Sequence, residues 1–292
     1  MTPPGAPREQ RILLGIGFMI LGATILPAMN GIVQWLTPRY PPEQVVWARI
    51  TGQLLVMVAL MLPRAGLRVL ATRRPGLQFA RSVCQVVSTS LYFVALVTLP
   101  LAKAAVIGFI GPFIVALLAW PMLGERLRLA RMLAVAAAFV GVLVVIRPGG
   151  AAFQPASLMI LGSASLMALY HVLTRMVSTH DRAETSVLWS ALLGGVVLTL
   201  LVPLFWVTPS SVADALAFLA LGAFGAGGHY CVARAFGLGP AAVIAPFQYW
   251  QIVTAVAIGV VFSGVWPEPA TWVGAAIVVA AGVFLAIHEG RR

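Results

Sequence analysis

Of 292 residues, 61% are hydrophobic and 9% carry a formal charge, whereas about 25% of an ordinary soluble domain is charged. That excludes a soluble globular protein. The net charge of +11 sits mostly in short loops between apolar runs, where basic residues orient a membrane protein, and it does not point to nucleic acid.

A bilayer span takes about 20 mostly apolar residues. Runs bounded by Arg, Pro and Gly predict ten spans, at 12–36, 43–62, 77–98, 102–122 and 128–147, then at 156–177, 184–206, 211–236, 240–262 and 270–288. The first run continues into Asn30 and Gly31 instead of ending at a small-residue cleavage site, so it reads as a retained helix. Ten spans put both termini on one side. Placing that side in the cytoplasm gathers 15 of the 19 basic residues there and leaves Arg39, Arg49, Lys103 and Arg147 outside, the sense that the positive-inside bias requires.

The two halves of the chain resemble each other. YFVA at 92–95 returns as YCVA at 230–233, AAVI at 104–107 returns at 241–244, and VGVLVVIRPG at 140–149 returns as AGVFLAIHEG at 281–290. A repeat of five helices is odd in number, so the second copy enters the membrane from the opposite side, as in transporters built for alternating access. The predicted fold class is an all-α polytopic membrane protein of ten transmembrane helices in two inverted five-helix repeats, residues 1–149 and 150–292, with cytoplasmic N- and C-termini.

The doubled plan, Arg49 within VVWARI, the stretch PLAKAAVIGFIGPFIVALLAWPMLGERL at 100–127, and the pair Gly124 and Glu125 after the fourth span resemble the drug/metabolite transporter superfamily of EamA type. The second half departs from that pattern in reading SGVWPEP at 263–269. Within the superfamily the chain looks most similar to bacterial aromatic amino acid exporters. The resemblance implies export of aromatic and other neutral amino acids across the cytoplasmic (inner) membrane. It also implies a midplane cavity lined by the first, third, fourth, sixth, eighth and ninth spans.

Polar groups in hydrocarbon are costly, so those inside the spans are the candidates for a substrate path. On the third span Arg81, Gln85, Ser88 and Tyr92 share one face, which meets either a cavity or a neighbouring helix. The ninth span carries Pro246 followed by Gln248, Tyr249, Trp250 and Gln251, and its counterpart carries Gly108, Gly111 and Pro112. Such interruptions at matching places point to a binding site. The glutamines suit a zwitterion and the two aromatic rings suit an aromatic side chain. Asn30, His171, His229 and Tyr230 complete the candidate substrate-binding set. Pro27, Arg49, Gly111, Pro112 and Pro246 are the candidate hinge or gating residues, with snorkelling to the headgroups the other reading of Arg49 and the preferred one of Lys103.

All eight carboxylates, Glu9, Glu43, Glu125, Asp181, Glu184, Asp214, Glu268 and Glu289, fall in loops or near span ends. This disfavours proton-coupled antiport of cationic drugs and favours a facilitator. No HExxH, GxSxG, Walker or CxxC motif is present, so neither enzymatic chemistry nor a cofactor or metal is expected. The expected partners are a small-molecule amino acid substrate and the lipid bilayer, with no nucleic acid, and the expected unit is a monomer. Two other readings are export of another small metabolite or neutral drug, and a non-transporting membrane sensor or assembly subunit.

Overall fold

The computed structural model describes residues 8–66, 70–124, 129–150, 153–178, 180–181, 183–239, 241–264 and 266–290. All regular structure among them is helical. The elements are α1 (Arg8–Leu36), α2 (Pro42–Ala65), α3 (Pro75–Ala95), α4 (Leu101–Gly108), α5 (Gly111–Leu123) and α6 (Leu129–Ile146). The second half contributes α7 (Ala156–Val177), α8 (Ala183–Leu201), α9 (Val212–Phe236), α10 (Ala241–Ile244), α11 (Trp250–Ser263) and α12 (Pro269–Gly290). Short 3₁₀ turns over Val202–Phe205 and Ala245–Tyr249 extend α8 and join α10 to α11.

Among the described residues, eight helical segments are long and apolar enough to cross a membrane by length and composition. The exposed surface agrees with hydrocarbon surroundings: Leu204, Leu219, Val212 and Val261 are all more than 70% exposed, which water would penalise. Trp120, Trp206 and Trp266 are exposed near helix ends, as rings of an interfacial belt are. The core gathers Val33, Leu36, Ile107, Phe113, Ile160 and Val278, each under 2% exposed.

Packing follows one exchange rule. α1 lies against α9 as α7 lies against α3; α2 meets α9 as α8 meets α3; α1 meets α11 as α7 meets α5; and α2 pairs with α8, and α6 with α12. Swapping the first six helices for the last six therefore returns the same main pairings. Local chemistry repeats with it: α5 ends on Gly124 at φ 69° and α11 on Gly264 at φ 67°. Both are left-handed caps that a side chain disfavours, so SGVWPEP keeps the stop signal although its letters differ. Glu125 lies outside the described residues.

α1 runs as one helix through Pro27 and Asn30. Proline at 27 removes the donor for the Ala23 carbonyl. The Thr254 hydroxyl of α11 supplies a donor instead at 2.7 Å, which lets the helix continue and ties it to α11. The fourth span does break, between α4 and α5 at Phe109 and Ile110, and the ninth breaks over Ala245–Tyr249.

Candidate functional site

α2 and α9 touch backbone to backbone. A Cβ built on Gly222 would fall 2.5 Å from the Gly52 backbone, and bare Gly225, one turn on, faces the Arg49 stem. Arg49 is consequently carried inward. It is 4% exposed, and its guanidinium donates through Nη1 to Thr89 Oγ1 and through Nη2 to His229 Nε2, both at 3.1 Å. The Phe93 ring lies 6.0 Å from the guanidinium carbon. Nε is buried with no hydrogen-bond partner among the described residues. Arg49 is thus a buried cation held between α2, α3 and α9 and does not snorkel to the headgroups. Lys103 is likewise buried and does not extend to the surface.

An arginine can only donate. His229 Nε2 must therefore accept, which puts the ring proton on Nδ1. His229 and His171 of α7 both carry exposed surface, and they lie within electrostatic reach of each other. Tyr92 of α3 is half-buried and stands beside Gly108 at the end of α4. Gln85, one turn before Thr89 on α3, leaves a buried Oε1 without a hydrogen-bond partner among the described residues. Arg49, Gln85, Tyr92, His171 and His229 thus cluster around the junction of α2, α3, α7 and α9.

Other candidates go elsewhere. Ser88 exchanges hydrogen bonds with Ser163 of α7, hydroxyl to carbonyl in both directions at 2.8 Å, so that part of the α3 stripe meets a helix. Arg81 meets protein on every side: Nε donates to Thr174, Nη1 to Gln78 Oε1 and the Ser186 carbonyl, and Nη2 to Tyr170 Oη. Tyr230 continues the exposed α9 face of Leu216, Leu219 and Ala223, away from His229. Trp250 is also exposed and donates from Nε1 to Thr24 of α1 at 3.2 Å.

Tyr249 fills the crossing of the two broken spans. Its ring centroid lies 5.1 Å from that of Phe109 in the first break, and its hydroxyl occupies the room that a side chain at Gly282 of α12 would take. Gln248 and Gln251 are half-buried at the second break, and their amides have no hydrogen-bond partner within the protein among the described residues. Gly111, Pro112 and Pro246 lie at the two breaks, with Gly111 and Pro112 in the first turn of α5 and Pro246 inside the 3₁₀ turn. Pro27 is buried against α11 and Asn30 is buried within α1.

Matching clamps bind the two ends of the bundle. At one end Asp214 of α9 pairs with Arg39 at 2.8 Å and accepts from Tyr40 and Ser210 at 2.9 Å, while Gln44 brackets the backbone of Val207. At the other, Asp181 accepts from the Thr72 hydroxyl, the Arg73 N–H and the Gln78 amide. Burial opposes ionisation of Asp181, yet these three donors and the charge of His180 hold its carboxyl below the usual range. The exchange of halves maps one clamp on the other: the α1–α2 loop meets the α8–α9 loop, and the α7–α8 loop meets the α2–α3 loop. Sequence reasoning noted the peripheral carboxylates without their partners.

Residues 13–147 and 154–287 each match the EamA-like transporter family. Over 98% of this chain and 95% of the relative, the sequence is 27% identical to the riboflavin transporter of Rhizobium johnstonii. It is 24% identical to the S-adenosylmethionine uptake transporter of Rickettsia conorii (95% and 94% covered) and 26% identical to the pseudopaline exporter of Pseudomonas aeruginosa (93% and 95% covered). A crystal structure sharing 22% identity superposes with a TM-score of 0.63 over 98% of this chain and 99% of that one, a likeness of fold.

Proposed function

Since the chain belongs to the EamA-like transporter family and is a membrane transporter, we propose that it carries a small polar metabolite across a bacterial cytoplasmic membrane by alternating access. The observation behind this reading is the polar junction of Arg49, Gln85, His171 and His229 within the helical bundle, flanked by two interrupted spans. Ten spans form two inverted halves, residues 1–149 and 150–292, with both termini in the cytoplasm. The exchangeable helix packing, the paired Gly124 and Gly264 caps and the distribution of basic residues support that arrangement. The two halves rock about the breaks at Gly111, Pro112 and Pro246, and the Asp181 and Asp214 clamps open in turn.

The relatives are named for riboflavin, S-adenosylmethionine and pseudopaline. None is named for an aromatic amino acid, and the expected aromatic clamp is weakened here: Tyr249 is packed on Phe109 and Trp250 faces outward. The wider class of small metabolite therefore takes precedence over aromatic amino acid export. Uptake and export both occur among the named relatives, so direction follows the gradient in a facilitator. With its own internal symmetry, the monomer is a complete unit.

The test is uptake of labelled S-adenosylmethionine, riboflavin and tryptophan by proteoliposomes, with and without a pH gradient. Saturable uptake of at least one, independent of the gradient and lost in a His171→Ala, His229→Ala double variant, is expected. Uptake no greater than in empty liposomes for all three would favour the non-transporting sensor or assembly subunit.

A further inference from the structure

Two polar atoms at the junction ask for opposite things. Arg49 Nε is a buried donor without an acceptor, and Gln85 Oε1 is a buried acceptor without a donor. They belong to neighbouring turns of one surface, because Arg49 is bonded to Thr89 and Gln85 precedes Thr89 by one turn of α3. The cation itself has neutral company: Thr89, His229 and the edge of Phe93. A guanidinium in that position lacks the charge that usually offsets its burial. His229 adds a further donor, since accepting from Arg49 at Nε2 leaves Nδ1–H on an exposed ring.

We infer that this junction is the seat for an ionised acid group of the cargo, a carboxylate bound by Arg49 with His229, while Gln85 accepts from an amine or amide N–H beside it. This rests on the transport reading above. Guanidinium matches a planar two-oxygen anion better than any single-point donor, and burial strengthens the attraction. The amide oxygen of Gln85 discriminates by a different route, rejecting a cargo that leaves it unpaired. The site therefore selects an amino-acid-like head group and is indifferent to what the remainder of the cargo is.

Thermal unfolding of the full chain in detergent tests the site without knowledge of the true cargo. The probes are L-phenylalanine against L-phenylalaninamide, and L-phenylalanine against 3-phenylpropionate. The acid is expected to stabilise at about tenfold lower concentration than the amide, Arg49→Gln to abolish that difference, and Gln85→Leu to abolish the preference for L-phenylalanine over 3-phenylpropionate. The second variant keeps the test open should Arg49→Gln fail to fold. Equal response to acid and amide, no response to any probe, or an acid preference that survives Arg49→Gln overturns the inference. The two readings also part in flux assays: saturable riboflavin transport unaffected by Arg49→Gln overturns the acid seat and leaves transport intact. Acid-selective binding with no flux of any cargo overturns transport and leaves the seat.

Discussion

Among the described residues the bundle buries two arginines, and they have opposite surroundings. Arg81 spends its donors on α3, α7 and α8, meeting Gln78, Tyr170, Thr174 and the Ser186 carbonyl, with the Tyr170 ring 4.6 Å from its guanidinium carbon. Arg49 has two neutral acceptors and leaves Nε without one. Burial alone does not separate them, since both are under 5% exposed. The count of satisfied donors does: among the described residues four of the five Arg81 N–H groups are met and only two of the five at Arg49, so the first guanidinium is part of the construction and the second keeps donors to offer.

The contrast is most sharply tested at Arg81. Arg81→Leu takes a donor from two buried partners, Gln78 Oε1 and the Ser186 carbonyl, and from the half-buried Thr174 and Tyr170; at about 1–3 kcal/mol for each buried group a loss of about 2 kcal/mol or more is expected, read as a fall in the thermal midpoint in detergent. A stable variant with normal flux would erase the distinction. Next comes Gly282→Val, which must expel the Tyr249 hydroxyl from its place and part the ring from Phe109; overpacking of this kind costs about 1–3 kcal/mol, and flux should fall more than the midpoint does. Arg49→Gln should do the reverse of Arg81→Leu, moving stability by no more than about 1 kcal/mol while lowering transport at least about tenfold.

The smallest effect concerns the clamps. The Asp181 carboxyl is held below its usual range, so its contribution is complete above about pH 4 and is lost as pH falls through the lowered value. Asp181→Asn should flatten the stability profile below about pH 4, measured as the midpoint against pH. A profile as steep as that of the parent would assign the acid sensitivity to another group.

Much of this was legible from the residues. The apolar runs at 156–177 and 211–236 became Ala156–Val177 and Val212–Phe236, because span length is dictated by hydrocarbon thickness. The two interruptions fell in the spans where Gly111, Pro112 and Pro246 announced them. Rotation about the helix axis was harder to read. Periodicity placed Ser88 and Tyr92 on one face, but the same face meets Ser163 at one level and Gly108 at another. Trp250 belongs to a helix apolar on nearly every side, so nothing in its own spacing tells lipid from interior. Arg49 turned inward because Gly222 lets α9 reach the α2 backbone, a property of two segments 170 residues apart in the chain. The continuity of α1 through Pro27 has a similar origin, since the Ala23 carbonyl takes its donor from Thr254.

The two interruptions have a mechanical consequence. An unbroken helix is a lever: tilting one end swings the other the opposite way, and every contact along its length must slip together. In α4 with α5, and in α10 with α11, the rod is cut and the severed ends are pinned to each other through Phe109 and Tyr249. In the alternating access proposed above, each outer piece pivots about that pinned centre while its partner stays seated. Opening at one membrane face then costs the breaking of one clamp's contacts, and the seal at the far face keeps its own.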